Sequence, residues 1–225
     1  MRLSFPTLVA CAAWLLCSAP ARVDAQTATP LSAGTLPAGK TSIVGFVGFP
    51  YLTVEAGHGL TSRFDLTLSA RTAWADIQRL GLLGRFRFSD PAAASGFAVR
   101  LGADTWMGRP KIHGDGTNPW IDITGRQDLT ILADGIYSWT TPRGTVMSAV
   151  AGLQMVGTRQ VPAVPLGGVP PYLSFGPNLT FRVAAEVPHE SGLLFAFDLG
   201  VDVHLNGFDN AVAMPAFSVG IGYIL

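Results

Sequence analysis

Charge is what this sequence has little of. Only 13% of its 225 residues are charged, 48% are hydrophobic and the mean hydropathy is +0.36. Soluble domains carry about 25% charged residues, so a water-facing shell is hard to build from this composition. Lysine, the usual residue of a wet surface, is scarcest: Lys40 and Lys111 stand against thirteen arginines. Fifteen basic and fifteen acidic side chains cancel to a formal net charge of zero. That balance excludes an electrostatic nucleic-acid binder, an acidic solvated tail and general disorder. With 26 glycines and 16 prolines the chain is too punctuated for a helical bundle.

A long apolar run free of helix breakers is missing too. A spanning helix needs roughly 20 predominantly apolar residues. Beyond the N-terminus, the longest charge-free stretch lies between Arg159 and Arg182, and it holds Pro162, Pro165, Pro170, Pro171 and Pro177. The stretch from Gly144 to Thr158 is too short and contains Gln154. No substantial helix is expected after the N-terminal segment. A closed β-barrel is the other structure that satisfies its backbone in lipid.

Cysteine is confined to the start. Met1 and Arg2 supply a positive end, an apolar run follows from Leu8 to Cys17, and a small-residue region comes next. That layout predicts a secretory signal peptide over residues 1–25, cleaved after Ala25 in preference to Ala21. Cys11 and Cys17 both fall inside it, so the exported chain has no thiol and no disulfide. Leu8-Val9-Ala10-Cys11 resembles a lipobox, but it comes early and Ala12 to Leu16 continue the apolar run. Residues 26–40, rich in Thr, Ala, Pro and Gly, read as a flexible periplasmic lead-in to a barrel over 41–225.

What is present is alternation with period two, which puts i, i+2 and i+4 on one face of a strand. Phe64, Leu66, Leu68 and Ala70 oppose Asp65, Thr67, Ser69 and Arg71. Leu80, Leu82, Gly84, Phe86 and Phe88 oppose Arg79, Gly81, Leu83, Arg85 and Arg87. Phe97, Val99, Leu101 and Ala103 oppose Ala98, Arg100, Gly102 and Asp104. Leu129, Ile131, Ala133 and Tyr137 oppose Asp128, Thr130, Asp134 and Ser138. Phe181, Val183 and Val187 oppose Thr180, Arg182 and Glu186, and Leu193 to Leu205 opposes Asp198, Asp202 and His204. Tyr51 to His58 alternates with Thr53 and Glu55 on its polar face. Ser42 to Phe49 and Thr145 to Gly157 read as strands whose two faces are not assigned.

Two features orient the barrel. The polar faces are mostly small or pairable residues, as a crowded interior needs. The apolar faces are unbroken and end in aromatics (Trp74, Phe88, Trp139, Tyr223), as lipid-facing bands do. The fold class is therefore all-β, an antiparallel up-and-down transmembrane barrel. Short turns at 59–63, 90–95, 140–144 and 188–192 alternate with longer connections, although the one at 75–78 is short. Counting strands back from a periplasmic C-terminus gives ten, with eight as the alternative.

The last eight residues, Ser218-Val219-Gly220-Ile221-Gly222-Tyr223-Ile224-Leu225, resemble the C-terminal β-signal of Gram-negative outer-membrane proteins, polar-x-Gly-x-x-aromatic-x-aromatic. Ser218, Gly220 and Tyr223 match, while Leu225 departs from the usual terminal Phe or Trp. Gly59-Leu60-Thr61-Ser62-Arg63-Phe64-Asp65-Leu66 also looks like a hairpin common in small outer-membrane barrels of the transporter-like kind. The resemblance implies the bacterial outer membrane as location and its lipid as surroundings. It also implies the barrel assembly machinery as a partner.

On the assigned faces the lumen carries Arg71, Arg79, Arg85, Arg87, Arg100 and Arg182 with Glu55, Asp65, Asp104, Asp128, Asp134, Glu186, Asp198, Asp202 and His204. Most of the arginines are on consecutive early strands, and several acids come late. Two uses follow. Arginine suits buried ionic pairs, so the lumen can be a structural plug of Arg–carboxylate bridges. Alternatively, basic and acidic walls form a narrow filter for small polar solutes. The narrow bore of a ten-stranded barrel favours the plug. An enzyme with a rim site built from Asp202 and His204, or from Asp104, His113 and Asp115, is a different class, but no nucleophile accompanies it. A secreted soluble barrel binding an apolar ligand is a third class. No metal-ligand spacing, phosphate loop or dinucleotide fingerprint is present, so no cofactor is expected.

Overall fold

The structure is a computed structural model describing residues 29, 31–49, 51–73, 77–106, 126–160, 172–189, 191–205 and 211–225. The expected signal peptide, Trp74, His113 and Asp115 lie outside the described residues. Ten strands run β1 (Thr41–Phe49), β2 (Leu52–Gly59), β3 (Phe64–Ala73), β4 (Ile77–Arg87), β5 (Ser95–Trp106), β6 (Arg126–Thr140), β7 (Val146–Gln160), β8 (Tyr172–Pro188), β9 (Leu193–Leu205) and β10 (Ala211–Ile224). Each pairs antiparallel with its sequence neighbours, and β1 pairs with β10, closing the barrel. Ten strands are correct and the alternative of eight is not.

Alternation decides which way each side chain points, and the expected faces hold. Outward residues such as Leu82, Leu101, Leu199 and Ile221 are more than half exposed, whereas inward Asp65, Arg85 and Thr130 are buried. The two unassigned strands now have faces. In β1, Ser42, Val44 and Phe46 point in, while Ile43 and Val47 point out; in β7, Val146, Ser148 and Val150 point in.

All four short turns and both ends of the barrel chain lie at one rim. Two of those turns share a design. Thr141 N donates to Thr145 O and Gly144 N to Thr141 O; His189 N donates to Leu193 O and Gly192 N to His189 O. The closing residue has φ of 83° at Gly144 and 84° at Gly192, a left-handed conformation that glycine adopts without strain. Aromatics gather outside this rim: Phe86 against Phe88, Phe88 against Phe97, and Tyr137 stacked on Trp139 at 5.9 Å.

Candidate functional site

Register turns the scattered lumen charges into pairs. Asp65 on β3 is directly opposite Arg85 on β4, Arg85 is opposite Arg100 on β5, and Arg100 is opposite Asp134 on β6. An Asp–Arg–Arg–Asp row thus crosses four adjacent strands at one level. The two arginines sit side by side, and each turns away from the other to its own carboxylate. Arg85 Nη2 donates to Asp65 Oδ2 at 2.5 Å and Nε to Asp65 Oδ1 at 3.2 Å. Arg100 is bridged to Asp134 through Nε, at 2.7 Å, and through Nη2. Paired, bidentate guanidinium–carboxylate contacts are the form in which charge tolerates burial.

A second set lies nearer the other rim. Arg79 Nη2 is 2.8 Å from Asp104 Oδ1 and donates to Thr130 at 2.7 Å, with Arg71 more distant from Asp104 at 3.9 Å. On the far wall Arg182 forks, Nη1 to Asp198 Oδ2 at 3.2 Å and Nη2 to both oxygens of Asp202 at 2.7 Å. Asp198 also accepts from Ser218 at 3.2 Å, which ties one residue of the β-signal to the lumen. In both sets the guanidinium groups lie against carboxylates. Arg79, Arg85, Arg100 and Arg182 each pair with an acid of an adjacent strand, while Arg71 reaches across β4 toward Asp104.

Inward glycines make the room. A Cβ on Gly152 would come within 1.9 Å of Asp134 Oδ1, and one on Gly200 within 2.5 Å of Arg182 Cδ. Gly220 plays the same part for an apolar neighbour, since a Cβ there would meet the Phe46 ring at 2.5 Å. That contact gives the β-signal glycine a packing role in the finished barrel.

The N-terminal segment is the feature the sequence did not reveal. Residues 31–40, expected as a flexible lead-in, enter the short-turn rim and are fastened there. Thr29, Ser32, Ala33 and Leu36 are each 1% exposed or less. Arg85 Nη1 donates to the carbonyls of Thr29 at 2.5 Å and Ser32 at 2.7 Å. Leu36 N donates to Asp65 Oδ2 at 2.9 Å, Ala33 N to Ser138 Oγ at 2.7 Å, and Thr29 Oγ1 to Glu186 Oε1. Leu31 packs against Val44, Phe46, Leu194 and Ala196, and Ala33 against Ala98, Ile136 and Val150. The segment therefore has apolar anchors on opposite walls and a salt bridge beneath it. Composition hid this, because Thr, Ala and Gly serve a flexible linker and a thin plug equally well.

The remaining expected residues divide. Glu186 is fully buried and holds the inserted segment rather than a filter wall. Arg87 stands outside the ion-pair network, donating to Ser89 Oγ and to the carbonyl of Ala93, each at 3.1 Å. His204 is half-buried on the inner face of β9, and both oxygens of Asp202 accept from Arg182. Tyr223 and Leu225 are exposed at the closing edge, where Leu225 N donates to Thr41 O at 2.8 Å.

These features define a class: a closed ten-stranded barrel, apolar outside, with an ion-paired interior and its own N-terminal segment inside one mouth. No protein-family model matches the chain, and no curated protein matches it. Among solved structures the chain is similar to the N-terminal β-barrel domain of Pseudomonas aeruginosa OprF. The two are 11% identical over 83% of this chain and 96% of that one, with a TM-score of 0.33. So loose an overlap carries no inference about function.

Proposed function

We propose that the protein is a non-enzymatic integral barrel of the bacterial outer membrane, and that its lumen is a salt-bridged structural plug rather than an open pore. The observation that carries this is the Asp65–Arg85–Arg100–Asp134 row with the N-terminal segment locked onto Arg85. An eight-stranded barrel is filled by its side chains, and ten strands widen it only slightly, so paired charges and one inserted strand of chain suffice to block it. The exposed outward leucines, valines and phenylalanines support lipid as the surroundings, and the aromatic cluster at one rim suits an interface. The signal-peptide pattern supports export. The C-terminal match supports the assembly machinery as partner.

The rim-enzyme alternative is weaker, because Arg182 engages both oxygens of Asp202, and among the described residues no carboxylate is hydrogen-bonded to His204. The soluble-barrel alternative conflicts with so much outward apolar surface. Planar-bilayer recording of the refolded full-length chain tests the plug. No steady current is expected, and a stable ohmic conductance in the unaltered protein overturns it. Monodisperse behaviour in plain buffer would overturn the membrane assignment.

A further inference from the structure

Arg87 sets a problem that the lumen network does not solve. Its side chain is 9% exposed, yet among the described residues no carboxylate lies within ion-pair distance. Asp90 is exposed and caps its own turn, accepting from Ala92 N at 3.0 Å. Asp65 is committed to Arg85 and to Leu36 N. A buried guanidinium held by Ser89 Oγ and one carbonyl, with the exposed Asp90 offsetting its charge only from beyond ion-pair distance, is incompletely compensated, and a counter-ion in contact would relieve that cost.

The space for one is present. Arg87 lines a cavity of about 480 Å3 at the short-turn mouth, between the inserted segment and the β4–β5 and β6–β7 turns. Thr35, Gly96, Ser138 and Trp139 line it as well. Gly96 holds the cavity open at the charged wall, because a Cβ there would fall 3.1 Å from Arg87 Nη2, 3.2 Å from Nε and 2.4 Å from Ser89 Oγ. A buried cation, hydroxyls beside it and a residue without a side chain over the guanidinium together make a receiving site for a small anion.

We propose that this mouth cavity binds a small oxyanion, a phosphate or carboxylate group, with Arg87 as its counter-charge. The guanidinium is planar and matches two oxygens of such a group, where chloride would meet only one point of contact. The site takes one wall from the inserted segment, but its charge, Arg87, is not one of the plug's ion pairs. Binding at Arg87 does not require the lumen to be closed, so failure of one assignment leaves the other standing.

Calorimetric titration of the refolded full-length chain with inorganic phosphate tests it. The titration runs in maltoside micelles, against sodium chloride at equal ionic strength. Saturable phosphate binding is expected in the unaltered protein, with at least about a tenfold loss in Arg87→Gln. A smaller loss is expected in Arg87→Lys, and a loss in Gly96→Ala as its methyl displaces the guanidinium. Circular dichroism and heat-dependent gel mobility establish that each variant folds, and Arg87→Lys with Gly96→Ala suffices if Arg87→Gln does not. Absence of saturable binding, or equal affinity in folded Arg87 variants, overturns the proposal. Repeating the titration in phosphatidylglycerol and phosphatidylcholine nanodiscs separates the sources. Competition by the lipid assigns the site to a headgroup, and unchanged affinity assigns it to a free oxyanion.

Discussion

Removing Arg85 should cost the barrel more than removing any other lumen charge, because two structures hang on it. The side chain is 2% exposed and Asp65 is 1% exposed. Arg85→Met leaves the Asp65 carboxylate buried with only Leu36 N as donor. Stripping one partner from a buried pair costs about 3–5 kcal/mol. The carbonyls of Thr29 and Ser32 lose their shared donor as well. Each such bond contributes about 0.5–1.5 kcal/mol net, recovered in part if the inserted segment withdraws into water. A total near 4 kcal/mol is a large part of the stability of a typical domain, about 5–15 kcal/mol. Asp65→Leu should cost nearly as much, since it strands the guanidinium. The double variant removes both charges together and should cost far less than the sum, with a coupling of about 2–3 kcal/mol. Urea unfolding in detergent, followed by tryptophan fluorescence, measures all three. Single variants within 1 kcal/mol of the unaltered chain, or additive effects, would refute the assignment of this pair as the keystone of the mouth.

The same substitution should expose Lys40 to a lysine-specific protease, because Lys40 O and Gly39 N are bonded to Gly59 only while the segment is seated; an unchanged cleavage rate would argue against its release. Gly152→Ala should destabilise by about 1–3 kcal/mol as its methyl displaces the Asp134 carboxylate from Arg100, read out as a lowered unfolding midpoint. Asp202→Asn should cost no more than about 1 kcal/mol, since that pair is 18% and 23% exposed and partly screened. Gly220→Ala should lower stability by about 1–3 kcal/mol through the Phe46 ring. Leu225→Phe, at an exposed end, should leave the midpoint within about 0.5 kcal/mol.

The strands and their faces were legible because a half-buried strand has to alternate, and Leu193 to Leu205 does so almost without exception. The ion pairs were not, since they depend on register. Nothing in the linear order says that Asp65 faces Arg85 or that Arg100 faces Asp134, so the sequence favoured a plug of Arg–carboxylate bridges without naming the pairs and left opposed basic and acidic walls as the alternative. The docked segment left one sign that could have been used. Val44, Phe46, Leu132, Ile136, Val150 and Leu194 are apolar residues on inward positions. Their presence blurred the alternation of β1 and β7, so neither strand received a face. Apolar side chains turned into a polar lumen need something to cover them. Five of the six gather toward the short-turn rim, and Leu31 and Ala33 pack against those five there.

The join between β1 and β10 has a consequence for how the molecule comes to exist. It is a short seam, running only from Ser42↔Ile224 to Phe49↔Phe217, while β6 and β7 pair from Arg126↔Gln160 to Thr140↔Val146. Its partners come from opposite ends of the chain, so it gathers the largest loop-closure cost and is the natural last step of folding. Until it forms, β1 and β10 are open edges able to recruit a neighbouring chain. Leu31 packs on a cluster drawn from β1, through Val44 and Phe46, and from β9, through Leu194 and Ala196, two strands that β10 brings together only when the barrel closes. Its binding surface therefore does not exist before closure. The inserted segment acts as a latch that only a completed barrel can engage, so a chain stalled one strand short is left without it.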